Sequence, residues 1–167
     1  MAGKSARTLL LVRLLQLRTY NELAEALRKF DLTPLQYMVL SLAGHRGNSS
    51  TADLARRFQI APQSMNEVVA TLQGKKLIAR REAPEHRRIL HIRLTAAGAK
   101  LLQKCEREVD RLERAIFRDF PRGELAAFRA MLAKALAGFD EDAGRTLKPA
   151  AGSLPAHGVR RPEARTQ

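Results

Sequence analysis

STADLARRFQIAPQSMNEVVATLQGKKLIARREAPEHRRILHIRLT, residues 50–95, decides how this chain folds. In its middle, Met65, Val68, Val69 and Leu72 fall at i, i+3, i+4 and i+7, one apolar face of a helical period. The opposite face, Gln63, Asn66, Glu67 and Ala70, offers small or hydrogen-bonding groups. Ahead of it, Thr51–Phe58 predicts a shorter helix that buries Leu54, Ala55 and Phe58. Gln59-Ile60-Ala61 makes the turn between them, and Pro62 stands where a first helical residue needs a fixed φ and no N–H. Two short helices across a tight turn predict a helix-turn-helix, with the second helix as the reader of a DNA major groove.

Behind that helix the period changes to two. Leu90, Ile92 and Leu94 alternate with His91 and Arg93, the pattern of a half-buried strand. Residues 77–81 predict its partner strand, and Pro84-Glu85-His86-Arg87-Arg88 the tip between them. From Lys75 to Arg93 there are seven Lys or Arg against Glu82 and Glu85, a local balance of +5. A basic hairpin beside a helix-turn-helix is a wing, whose tip lies against phosphates or in a minor groove.

Several segments resemble the MarR family of bacterial winged-helix regulators. They are Leu77-Ile78-x-Arg80, the Pro-Glu-x-Arg-Arg tip, and Ile92-x-Leu94-Thr95-x-x-Gly98. Leu32-Thr33-Pro34-x-Gln36-Tyr37-x-Val39-Leu40 and Asp53-Leu54-Ala55 are similar to that family too, so the resemblance runs over residues 8–143. It implies a mainly α (α+β) fold: a winged helix-turn-helix over 50–95, with N- and C-terminal dimerisation helices over 8–30 and 95–143, all in one domain spanning 1–143. Two positions depart from the family pattern. His86 replaces an Asp often found two residues before the wing-tip Arg, here Arg88, which bears on how Arg88 is held. Lys76 replaces a Gly at the end of the recognition helix, and the expectation is an altered helix ending with an added phosphate contact.

The charge agrees with a polyanionic partner. The chain has 167 residues, a net charge of +13 and 45% hydrophobic residues, which excludes wholesale disorder and is enough for one domain with a core. Residues 144–167 hold Arg145, Lys148, Arg160, Arg161 and Arg165 against Glu163, so +9 of the charge belongs to residues 1–143. That last segment, rich in Pro, Gly, Ala and Arg, is expected to be a disordered basic tail. A single cysteine, Cys105, rules out an internal disulfide and fits a reducing cytosol. Arg13, Gln16 and Arg18 interrupt the apolar run near the N-terminus, so an amphipathic helix is expected there rather than a secretion signal. No membrane partner is expected.

The rest of the chain reads as helices. Residues 8–30 carry Leu10, Leu14, Leu17, Leu23, Leu27 and Phe30, and Asp31-Leu32 ends that helix. Thr33, Pro34 and Gln36 predict a capped second helix, followed by a loop at 44–48. Thr95 opens a helix to about Phe120, striped by Leu102, Cys105, Val109, Leu112, Ile116 and Phe120. Pro121 begins another to about Phe139, with Leu125, Phe128, Leu132, Ala135 and Leu136. The terminal helices carry more apolar surface than a small winged helix needs, which predicts an intersubunit seam rather than closure of the monomer core alone.

The DNA-contact candidates are Gln63, Ser64, Asn66 and Glu67 on the recognition helix, Lys75 and Lys76 at its end, and Arg87 and Arg88 at the wing tip. Family members respond to small aromatic acids. The resemblance therefore makes Arg18, Asn21, Tyr37, Met38 and Ser41 candidates for an effector pocket, although ordinary packing accounts for each equally well. Cys105 sits on an apolar stripe and is expected to be a buried, inert thiol. His45, His86, His91 and His157 form no ligand spacing, so neither metal nor cofactor is expected, and no catalytic constellation is present. The expectation is a cytoplasmic homodimeric repressor that binds double-stranded DNA at a pseudo-palindromic operator and answers to a small-molecule effector. Its rivals are a nonspecific nucleoid-associated DNA binder and a winged-helix adaptor for protein contact.

Overall fold

A computed structural model of the chain describes residues 7–45, 49–82 and 90–141. Six helices and a two-stranded hairpin run in the order α1 (Thr8–Arg28), α2 (Pro34–His45), α3 (Thr51–Phe58), α4 (Pro62–Gly74), β1 (Ile78–Glu82), β2 (Leu90–Leu94), α5 (Ala96–Ile116) and α6 (Arg122–Glu141). The expected mainly α fold with a winged helix-turn-helix is the fold observed.

Helix starts follow from local chemistry. At α2 the Gln36 N–H donates to Thr33 Oγ1 at 3.2 Å, while Gln36 Oε1 accepts from the Thr33 N–H at 3.1 Å. At α3 the Ser50 N–H donates to Asp53 Oδ2 (2.9 Å) and the Asp53 N–H to Ser50 Oγ (3.2 Å). Both are reciprocal capping boxes, which use N–H groups that the first turn leaves without a helical acceptor. Asp53 also accepts from Arg56. These bonds, that of Ser50 foremost, hold the Asp53 carboxyl below its usual range.

The hairpin is antiparallel, pairing Ile78 with Leu94, Arg80 with Ile92 and Glu82 with Leu90. It has a third partner that no sequence periodicity announced. The Ile92 N–H donates to the Ser49 carbonyl at 3.0 Å, and Ser50 bridges His91, so the chain entering α3 borders β2. The helix-turn-helix and the wing are thereby stitched together.

One core joins these elements. Leu27 of α1, Val39 and Leu40 of α2, Leu54 of α3, Met65, Val69 and Leu72 of α4, Ile92 of β2 and Cys105 of α5 are fully buried, and no polar residue is buried with them among the described residues. Two boundaries differ from expectation. Gly44, expected in a loop, lies in α2, at a close approach where a Cβ would press on Leu102 Cδ2 (3.0 Å) and Leu94 Cδ1 (3.2 Å). Helix α5 stops at Ile116 rather than near Phe120, since Phe117 turns out of the helix and packs with Phe120 and Phe128 at 5.7–6.0 Å.

The core takes only half of α1 and almost none of α6. Leu23, Leu27 and Phe30 pack inward, whereas Leu9 is 82% exposed and Leu10, Leu11, Val12, Leu14 and Leu17 also face outward. On α6, Leu125 and Phe128 are half-buried, while Met131, Leu132 and Leu136 are exposed, Leu136 by 66%.

Candidate nucleic-acid interface

Helix α3 closes on Gln59, whose φ of 52° lies in the left-handed region, and the Ile60 N–H returns to the Ala55 carbonyl at 3.1 Å. The reversal delivers Pro62 to the first position of α4, where its missing N–H costs no helical bond. Met65, Val69 and Leu72 then anchor α4 in the core, with Val68 half-buried. That burial turns the opposite side outward, so Gln63, Ser64, Asn66 and Glu67 are all exposed on one face. The positive end of the helix dipole lies at the same end, beside Gln63 and Ser64. Phe58, expected to be buried, is half-buried at the end of α3.

The end of α4 is a Schellman motif. The Leu77 N–H donates to the Leu72 carbonyl at 3.0 Å and the Lys76 N–H to the Gln73 carbonyl at 2.8 Å, with Lys76 at φ 56°. The expected altered ending is therefore not found. The chain adopts the left-handed turn that suits glycine and places a lysine in it, because Leu77 must still swing back into the core. The Lys76 side chain is exposed. Lys75 is oriented differently: its ammonium donates to Asp31 Oδ2 at 2.8 Å and also to the Asp31 carbonyl.

The wing is locked to this ending. The Thr95 N–H donates to the Leu77 carbonyl at 3.0 Å, Thr95 Oγ1 donates to the Lys76 carbonyl at 2.7 Å, and the Gly98 N–H caps back onto Thr95 Oγ1 at 3.0 Å. A Cβ on Gly98 would lie 1.9 Å from the Leu77 carbonyl oxygen. The Leu-Thr-x-x-Gly sequence is thus the joint between recognition helix, wing and α5.

Along β1 only Ile78 is buried, and Arg80 and Arg81 are both exposed. Both are counted in the basic charge of the wing but not among the contact residues; both project because the strand leaves the core after Ala79. Arg87, Arg88 and His86, at the wing tip, lie outside the described residues, as does the segment 144–167.

A cleft of about 240 Å³ opens between α2 and the end of α3, lined by Tyr37, Met38, Ser41, Leu42, Arg57 and Phe58. It brings together three candidate effector residues, Tyr37, Met38 and Ser41. Arg18 and Asn21 are exposed on α1 and do not line it. Arg57, at the end of α3, is the cation it has instead; α3 and α2 meet only through packing, so no sequence spacing indicated it. Burial, followed by the nearby carboxylate of Glu106, raises the Tyr37 phenol above its ordinary value and keeps it a neutral donor. Cys105 is fully buried, and burial pushes its thiol up to about 11. Among the described residues no His, Cys, Asp or Glu cluster could hold a metal ion, and no helix is long and apolar enough to cross a membrane.

The MarR family profile matches residues 30–89, from the end of α1 to the wing. In fold the chain is similar to the S. aureus MepR–DNA complex, with a TM-score of 0.68 at 23% identity, covering 82% of this chain and 99% of that one. Over residues 30–89 the chain is similar to the MarR family. Among its relatives, YhbI of Bacillus subtilis, an uncharacterised HTH-type transcriptional regulator, is 26% identical over 121 residues, 71% of this chain and 79% of YhbI. The HTH-type transcriptional repressor Rv2887 of Mycobacterium tuberculosis is 28% identical over 113 residues, 68% of this chain and 81% of the repressor. The structure of Rv2887 with p-aminosalicylic acid matches at a TM-score of 0.65 and 25% identity, covering 78% of this chain and 98% of that one.

Proposed function

We propose that the chain acts in the cytoplasm as a homodimeric repressor that reads a pseudo-palindromic operator and is released by a small aromatic acid. One observation carries the reading: the outward face of α4 is polar, while the surfaces left bare on α1 and α6 are apolar. Contiguous exposed Leu and Val of this extent imply a partner surface, and a second copy is the partner that also supplies a second reading helix. Two copies related by a twofold axis would present Gln63 and Asn66 to base edges in major grooves about 34–36 Å apart. Ser64 and Lys76 would meet phosphates, Glu67 a cytosine amino group, and Arg87 and Arg88 the backbone and minor groove beside each half-site.

The effector is assigned to the cleft beside α3. Tyr37, Met38 and Phe58 supply apolar walls, Ser41 a hydroxyl and Arg57 a guanidinium for a carboxylate, a combination suited to an aromatic acid. The complex of Rv2887 with p-aminosalicylic acid supports this choice of ligand class. Occupying the cleft would favour dimers whose reading helices no longer match the half-site spacing.

The test begins with selection of duplexes from a randomised library by the unmodified protein, followed by sedimentation with and without the selected duplex. A dimer bound to one inverted repeat, and released by millimolar p-aminosalicylate, is the expected result. Binding that is equal on selected and scrambled duplexes would favour the nonspecific DNA binder, a reading to which the net charge of +13 lends support.

A further inference from the structure

We infer that Asp31 and Lys75 are positioning residues that fasten the recognition helix to the dimerisation helices, so that Lys75 acts on DNA through Asp31 and not by touching phosphate. The inference rests on the homodimeric, operator-reading function proposed above.

The geometry starts at the turn between α1 and α2. Asp31 sits there at φ 53°, a left-handed conformation that Asp tolerates better than most side chains. Its carbonyl and carboxylate both point toward the end of α4, and the Lys75 ammonium crosses 44 residues of sequence to reach both. Two of the three N–H donors of that ammonium are therefore taken. Lys75 is drawn in accordingly, its side chain 30% exposed, against 93% for that of Asp31.

The same turn is fastened on its other side. Lys29 Nζ lies 2.8 Å from Glu108 Oε2 on α5, and Glu108 Oε1 accepts from Arg111 at 2.7 Å. The hydrogen bond from Lys29, ahead of the charge of Arg111, lowers the Glu108 carboxyl below its ordinary value. One short turn thus holds α5 through Lys29 and the end of α4 through Asp31. α1 carries part of the seam in the proposed assembly and α5 packs against it, whereas α4 is the helix that must arrive at the correct spacing. A shift of the α4 end relative to this turn, doubled by the twofold axis, changes the distance between the two reading helices. Lys75 stands on the C-terminal side of α4, away from Gln63 and Asn66, which suits a fastening role better than a groove contact.

The two roles predict opposite signs for one substitution. If Lys75 met phosphate, Asp31→Asn would remove a competing anion and tighten DNA binding. If Lys75 positions α4, Asp31→Asn weakens binding as Lys75→Met does. The experiment uses fluorescence anisotropy with full-length Asp31→Asn, Lys75→Met and the double variant. Its probes are the library-selected duplex, the same duplex with one base pair inserted between half-sites, and a scrambled duplex, each at several salt concentrations. Expected are losses of about three- to tenfold on the selected duplex for both single variants, with no further loss in the double variant, as for two partners of one exposed pair. The preference for the native spacing over the inserted one should narrow, the salt slope should stay within error of the unmodified protein, and sedimentation should still show dimers. Tighter or unchanged binding by Asp31→Asn, or a salt slope lowered by about one counterion per subunit in Lys75→Met alone, would overturn the inference. An unmodified protein that is monomeric or selects no duplex would overturn the proposed function, and this inference with it.

Discussion

Gly98 shows how one residue can be fixed by a contact far away in sequence. The Leu77 carbonyl is held by the Thr95 N–H, so it cannot retreat from a Cβ that would intrude to 1.9 Å. Gly98→Ala should cost about 3 kcal/mol, the upper end for overpacking a joint that cannot relax, read from the urea midpoint. Lys76 presents the reverse case. A lysine at φ 56° bears the strain of a left-handed L-residue, which a glycine would not. Lys76→Gly should raise stability by about 1 kcal/mol, seen as a higher Tm. Cys105 sets a pH dependence. Its thiol stays protonated in the folded chain up to about 11, whereas in the unfolded chain it ionises near its ordinary value of 9.0. Between those values the unfolded state binds fewer protons, so stability falls as pH rises. Tyr37, also raised, acts in the same sense at higher pH. Thermal melts from pH 8 to 11 should show a shallower decline in Cys105→Ala than in the unmodified protein, and native Cys105 should resist thiol reagents until the chain unfolds.

At the scale of elements, the helices divide into those the core completes and those it leaves open. α2, α3 and α4 have their apolar faces covered within the chain, while the first half of α1 and the outer face of α6 do not. Leaving that much apolar side chain in water forgoes roughly 25 cal/mol per Å² of burial, which association of two copies would recover. Leu132→Asp, on the exposed face of α6, should shift sedimentation from dimer toward monomer without unfolding α2–α4, as monitored by circular dichroism. A dimer of unchanged strength in that variant would place the seam elsewhere. The α3 start gives an internal control. Asp53→Ala removes one arm of the capping box and should cost about 1 kcal/mol. The Asp53 carboxyl titrates below its usual range, so its contribution is present above the ordinary carboxylate pKa and is lost as pH falls.

For the whole molecule, the division between reading and clamping makes a prediction about DNA sequence. Asn66 is exposed on the outer face of α4. Asn66→Ala should lose about 1–3 kcal/mol on the selected duplex and little on a scrambled one, since only base edges carry sequence information. Arg87→Ala should weaken both duplexes and lower the salt slope by about one counterion per subunit. Anisotropy on the two duplexes across a salt series separates these patterns. Equal losses from both substitutions on both duplexes would mean that α4 and the wing do not divide the work in this way.

How much of this was legible beforehand follows from the reach of each interaction. The capping box at Thr33–Gln36 acts across three residues and Pro62 acts on its own φ, so residue type and spacing reveal them; the box at Ser50–Asp53 has the same reach but was not read from the sequence. The apolar face of α4 was equally legible, because burial on one side of a helix must repeat every 3.6 residues, and the polar reading face follows as its complement. Residues 144–167 and the wing tip were legible only as composition. Other features appeared only once the elements had packed. Ser49 and Ser50 join the sheet because α3 begins beside β2, although two serines carry no strand pattern. Arg57 enters the cleft because α3 ends against α2. Lys75 finds Asp31 because the α1–α2 turn and the end of α4 converge in space. The sequence by itself determined where helices begin, which faces are apolar, and that a basic hairpin follows a helix-turn-helix, since each depends on neighbours within a few residues. Only the tertiary structure decided which charges are spent inside the fold and which remain for a ligand, because an ammonium or guanidinium takes whatever acceptor packing brings within about 3 Å, however distant in the chain.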